Sequence, residues 1–107
     1  MTTIYISKSK GYYIVAAREH ADDPIICGAI SSALCGLYNA AVTIGKINVG
    51  ECEGFSERSG RCTIRFSGGI EANSIYTYAV EIFKLLEATN PKNIKIMPII
   101  GGEIFPD

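Results

Sequence analysis

The sequence predicts an α+β fold: two helices packed on one face of a largely antiparallel sheet, in the order β-β-α-β-β-α-β. Three observations carry that reading. Two stretches of about twenty residues, Pro24 to Ile44 and Glu71 to Thr89, repeat apolar side chains at helical spacing. Short alternating or β-branched segments precede, separate and follow them. A length of 107 residues allows one hydrophobic core and no second one, so both helices must serve the same sheet. The expected organisation is a single domain over 1–107, with 99–107 as a C-terminal tail.

An opening hairpin comes first. Thr3 to Ser7 alternates Ile4 and Ile6 with polar neighbours, Tyr12 to Arg18 is rich in aromatic and β-branched residues, and Lys8-Ser9-Lys10-Gly11 joins them. The second strand runs towards His20, which therefore stands at a strand exit. Asp23-Pro24 starts the first helix, because an aspartate N-cap accepts from free amides and proline suits the first helical position. Ile26, Ile30, Ala33, Leu34, Leu37, Ala41 and Ile44 then recur at helical spacing, and Gly45 is expected to close the helix in the left-handed conformation. Gly28, Ala29, Ser31, Ser32 and Gly36 are small enough to allow close approach by a sheet or a second helix.

Lys46 to Phe55 and Arg61 to Phe66 read as the central hairpin, joined by Ser56-Glu57-Arg58-Ser59-Gly60. Gly50 and Gly54 weaken its first strand and mark bulges or a strand edge. Glu51 and Glu53 share one face of it, read as solvated. The second helix carries Ile75, Ala79, Ile82, Phe83 and Leu86 on one side and ends before Asn90-Pro91. Asn93 to Met97 is the last strand, and Ile99 to Asp107, with Gly101-Gly102 and Pro106, reads as an extended tail. A small sheet with its second face uncovered often finds a partner, so a homodimer is expected.

Composition removes several function classes. Hydrophobic residues make up 48% of the chain and charged ones 20%, which places it among ordered globular proteins. The formal net charge of −1 leaves no basic field to attract phosphates, so no direct nucleic-acid ligand is expected. Lys8 and Lys10 interrupt the first apolar run, which rules against a signal peptide. Ser31, Ser32, Asn39 and Thr43 make the run from Ile25 to Ile44 too mixed for a membrane span. A cytoplasmic protein with no membrane partner is the expectation.

Four cysteines are present, and reduced thiols fit them best. Cys27 and Cys35 would lie about two helical turns apart, roughly 12 Å along the axis, too far for a disulfide. A hairpin turn centred on Arg58-Ser59 sets Cys62 opposite Phe55 and Cys52 opposite Arg65, so these do not pair either. Neither Cys-x-x-Cys nor His-x-x-x-His spacing occurs, and neither a metal nor an organic cofactor is expected. Cys35, Cys52 and Cys62 read as packing residues.

The chemistry concentrates in residues 18–32, where the chain's single histidine, His20, is followed seven residues later by Cys27. An imidazole at a strand exit and a thiol in the first helical turn can act as general base and nucleophile. With Asp23 as N-cap, the positive end of the helix favours a thiolate at Cys27. The carboxylates of Glu19, Asp22 and Asp23 oppose that directly, yet they favour an imidazolium at His20, which would stabilise the thiolate again. The six intervening residues can double back far enough to bring ring and sulfur to about 3–3.5 Å. Amides of the helix start, including that of Cys27 or Gly28, would supply an oxyanion hole. The structural alternative is a small hydrophobic cysteine in a core helix beside a surface histidine.

Glu19-His20-Ala21 followed by Pro24-Ile25-Ile26-Cys27-Gly28-Ala29-Ile30-Ser31 resembles the Gly-His-Ala … Asp-Ile-Val-Cys-Ala-Ala-Val-Ser signature of the ribosomal-processing cysteine proteases, the Prp family. The general layout resembles that family from about Ile4 to Met97, while the specific part is confined to His20–Ser31. The resemblance implies a cysteine endopeptidase with Cys27 as nucleophile and His20 as general base. It also implies a homodimer and, as substrate, the N-terminal extension of a large-subunit ribosomal protein. Ser31, one turn beyond Cys27, matches the serine that closes the signature and would order the site or contact substrate. The chain departs from the pattern at Glu19, where the family has glycine. It departs also at Pro24, where the family has aspartate and Asp23 stands one place earlier, and in the shorter loop between His20 and Cys27. These departures motivate the alternative of a non-catalytic homodimeric module of the same fold that binds a peptide or a ribosomal component.

Overall fold

The computed structural model describes residues 1–53 and 61–99. Its elements are β1 (Thr2–Ser9), β2 (Tyr12–Arg18), α1 (Pro24–Thr43), β3 (Asn48–Glu53), β4 (Arg61–Ser67), α2 (Ile70–Thr89) and β5 (Ile94–Pro98), the order expected from the sequence. The five strands form one sheet in the order β3-β4-β2-β1-β5. Three pairings are antiparallel; β5 lies parallel to β1, with Thr3 opposite Lys95 and Tyr5 opposite Met97. The sheet is therefore mixed and mostly antiparallel.

The opening hairpin is tighter than its sequence suggested. Lys10 and Gly11 alone form the turn, both with positive φ (49° and 77°), the signature of a two-residue loop whose twist matches the strands. Gly11 is also crowded, since its carbonyl accepts the Gly68 amide at 3.0 Å and an added Cβ would meet the Gly68 oxygen at 3.1 Å.

Strand alternation divides β2 between two clusters. Tyr13, Val15 and Ala17 point into the main core, where they meet Ile4, Ile64, Phe66, Phe83 and the buried stripe of α1, Ile26, Ile30, Leu34, Leu37 and Ala41. Tyr13 packs between Phe66 and Tyr76, at ring separations of 5.3 and 4.9 Å. The second sheet face is not bare, contrary to expectation. Ile14 and Ala16 are buried there against Tyr5 and Ile99, and the Ile99 amide extends the pairing by donating to the Ile6 carbonyl at 2.9 Å.

By length and composition α1 could cross a membrane, so its polar residues do not exclude a span as the sequence reading held. Here the apolar stripe of the helix is buried against the sheet. The α1 terminus also differs from expectation. Gly45 is not among the residues with positive φ; the helix stops at Thr43 and Ile44 leaves it in extended backbone, its amide still donating to the Ala40 carbonyl. Ile44 packs on the core from that position, which a left-handed turn at Gly45 would not require. Nor do the small residues of α1 mediate close approach at every site. A Cβ added to Gly28 or Gly36 would find no neighbour within 4 Å.

In the central hairpin, Val49 lies opposite Phe66 and Cys52 opposite Ile64, so three steps on β3 match two on β4. This bulge includes Gly50 and moves Cys52 off the Arg65 partner expected for it. Phe55, Gly54, the Ser56–Gly60 loop and the tail beyond Ile99 lie outside the described residues, as do the side chains of Glu51, Cys52 and Glu53. Cys27 and Cys35 are free thiols.

Candidate functional site

The site lies where β2 ends and α1 begins. Glu19 stops the strand in the left-handed region, with φ of 66°, a conformation that crowds the Cβ of an L-residue. That turn sends His20 out of the sheet, and buried Ala21 fixes the following residue in the core. Asp23 then caps α1 as expected. Its backbone is extended and its carboxylate accepts the Ile25 amide at 2.9 Å.

Within this frame the Nδ1 of His20 stands 3.7 Å from the Sγ of Cys27. The separation exceeds an ideal contact by a few tenths of an ångström. Cys27 is half-buried and His20 exposed. Gly28 and Ser31 are exposed further along α1.

One expectation is corrected. The Cys27 amide donates to the Asp23 carbonyl at 2.9 Å, and helix geometry directs the Gly28 amide to the Pro24 carbonyl. Neither is a free oxyanion donor. Pro24 has no amide hydrogen, and the Ile25 amide is taken by the cap, which leaves the Ile26 amide as the remaining donor of the first turn.

Two residues outside the motif hold this segment. The Thr2 hydroxyl donates to the Glu19 carbonyl at 2.8 Å, and the Asn93 carboxamide oxygen accepts the Asp23 amide at 3.2 Å. Sequence reading passed over both, because an N-terminal threonine and a turn asparagine carry no pattern. At this end of the sheet, on the face away from the helices, the register aligns Lys95, Thr3, Arg18 and Arg61 across four strands. Among the described residues, no group of three or more His, Cys, Asp or Glu could hold a metal ion.

No protein-family model matches the chain, and no curated protein matches its sequence. Solved structures do match its fold. The essential ribosomal processing protease Prp from S. aureus, in complex with a covalently linked product peptide, superposes with a TM-score of 0.79 at 22% identity, over 92% of this chain and 100% of that one. The same protease with a substrate peptide gives a TM-score of 0.73 at 19% identity, over 92% and 100% of the two chains. SMU.848 from Streptococcus mutans gives 0.76 at 17% identity, over 92% and 97%. The chain has the fold of these proteins.

Proposed function

We propose that this protein is a cysteine endopeptidase of the Prp type, with Cys27 as nucleophile and His20 as general base. The observation that carries the reading is the 3.7 Å approach of His20 Nδ1 to Cys27 Sγ, in a fold shared with a protease crystallised with substrate and product peptides.

In the proposed reaction the Nδ1 of His20 takes the thiol proton while Sγ attacks the scissile carbonyl. The tetrahedral intermediate collapses as the imidazolium gives its proton to the departing amine, leaving a thioester on Cys27. A water molecule, deprotonated by His20, then attacks the thioester, and the acid leaves as the thiol re-forms. The Ile26 amide is the first-turn donor available to the oxyanion, and Ser31 contacts the substrate chain one turn further along α1. Asp23 supports the site by fixing the helix start. The reaction needs no metal or organic cofactor.

The substrate we propose is the N-terminal extension of a large-subunit ribosomal protein, processed in the cytoplasm by a homodimer of this chain. Incubation with such an extended precursor, beside Cys27→Ala, tests it. Cleavage by the native chain alone is expected; equal processing by both, or none by either, would count against it. The second reading, a non-catalytic module that binds the same class of peptide, is favoured by the commitment of the Cys27 amide to the helix. It predicts peptide binding without cleavage and no covalent capture of Cys27 by a thiol-directed peptide inhibitor.

A further inference from the structure

We infer that Thr2 and Asn93 are positioning residues for the His20–Cys27 pair. The inference rests on the proposed pairing of those two side chains but not on peptide hydrolysis. An exposed imidazole can serve a neighbouring thiol only if its backbone is stationary, and the residues that make it so lie at opposite ends of the chain.

The segment that carries His20 begins at Glu19, which holds a left-handed backbone without being glycine. Such a conformation persists where surrounding contacts over-determine it. Here the contact is the Thr2 hydroxyl on the Glu19 carbonyl, 2.8 Å away, from a residue only 3% exposed. At the far end of the segment, the Asn93 side chain takes the Asp23 amide at 3.2 Å. The two fasteners are themselves joined, since the Thr2 amide donates to the Asn93 carbonyl at 2.9 Å, and the Asn93 amide is held by the Asn90 carbonyl at 2.9 Å.

Residues 19 and 23 are thus tied to one rigid corner between β1 and β5, with Ala21 buried between them. The ring of His20 projects from this short span, and Cys27 follows one helical turn after the N-cap Asp23. Loss of either tie frees one end of the span and lets the ring drift from the sulfur. Misplacement by an ångström is enough to cost a reacting pair much of its rate.

The test compares, in the full chain, the alkylation rates of Cys27 and Cys35 by iodoacetamide, read by mass spectrometry, so that exposed Cys35 serves as the internal standard. Thr2→Val removes the hydroxyl and keeps the shape, while Asn93→Ala removes the acceptor. Each is expected to lower the Cys27 to Cys35 rate ratio about tenfold, towards the value of His20→Ala. Thr2→Ser and Asn93→Asp, which keep the hydroxyl and the acceptor, are expected to restore it. The imidazole resonances of His20, the one histidine of the chain, should shift in the first pair of variants and return in the second.

An unchanged ratio in Thr2→Val and Asn93→Ala, with a collapsed ratio in His20→Ala, would overturn the inference and leave the pairing intact. An unchanged ratio in His20→Ala would overturn both. Absence of peptide cleavage with these rate effects present would remove the protease reading and leave the positioning role standing. If Thr2→Val does not fold, the Asn93 variants decide the question alone.

Discussion

His20 presents Nδ1, not Nε2, to the Sγ of Cys27, at 3.7 Å. A ring nitrogen that is to receive the thiol proton must keep its lone pair, so neutral His20 must carry its hydrogen on Nε2. Nitrogen-15 NMR of the imidazole is expected to show the Nε2–H tautomer. A neutral Nδ1–H form would make His20 a donor to the sulfur and would end its proposed role as base.

Glu19 is the position at which backbone strain can be measured. Left-handed geometry costs an L-residue roughly 1–2 kcal/mol, and glycine gives back about 0.5–1 kcal/mol through its flexible unfolded state. Glu19→Gly is therefore expected to stabilise the fold by about 0.5 kcal/mol, seen as a higher urea midpoint at constant slope. Glu19→Val, whose branched side chain tolerates that region worse, is expected to lose about 1 kcal/mol or more. A loss of stability in Glu19→Gly would mean that residue 19 does not hold the left-handed backbone.

Gly36 lies inside α1, with open space where a Cβ would stand. Alanine there removes the entropic cost of glycine in a helix and meets nothing, so Gly36→Ala should gain about 1 kcal/mol. Thermal denaturation decides the matter, because a close helix or sheet contact at Gly36 would instead produce a loss.

Glu87 protects an edge of the sheet. Its carboxylate accepts the Ile96 amide at 2.6 Å, from the side of β5 that faces no strand. Glu87→Ala removes a charge-assisted bond and is expected to cost about 1–2 kcal/mol, while Glu87→Gln, which keeps an acceptor, should cost less. Light scattering should also show greater association for Glu87→Ala, since it bares a backbone donor on an edge strand. Equal stability in all three proteins would show that water serves Ile96 as well as Glu87 does.

The order of elements was legible because hydrophobic period is a local property. Ile26, Ile30, Leu34, Leu37 and Ala41 announce a helix wherever they are placed, and Asp23-Pro24 announces its start. An irregularity at Gly50, bulge or strand edge, was legible for the same reason, as glycine weakens a strand at its own position; the register decided for the bulge. The end of α1 was not, because the packing of Ile44 decides how the chain leaves the helix, and Gly45 gives no sign of that. The candidate pair was visible as spacing and as a resemblance, yet sequence could not say which ring nitrogen would face the sulfur or which amides the helix would consume.

The sequence by itself determined the seven elements and the apolar face of α1, and it marked Glu19 to Ser31 as the candidate site. These follow from side chains acting on their own stretch of backbone. On α2 it named Ala79 and Phe83 but missed Ala72, Tyr76 and Val80, which complete the buried face. Only tertiary structure decided the strand order, the parallel placement of β5 beside β1, the left-handed turn at Glu19 and its fastening by Thr2 and Asn93. Each of these depends on contacts between residues distant in the chain, whose energies exist only once the sheet has brought them together. Residues 2 and 93 lie far apart in sequence, and the β1–β5 pairing sets them together, where they bond to Glu19 and Asp23.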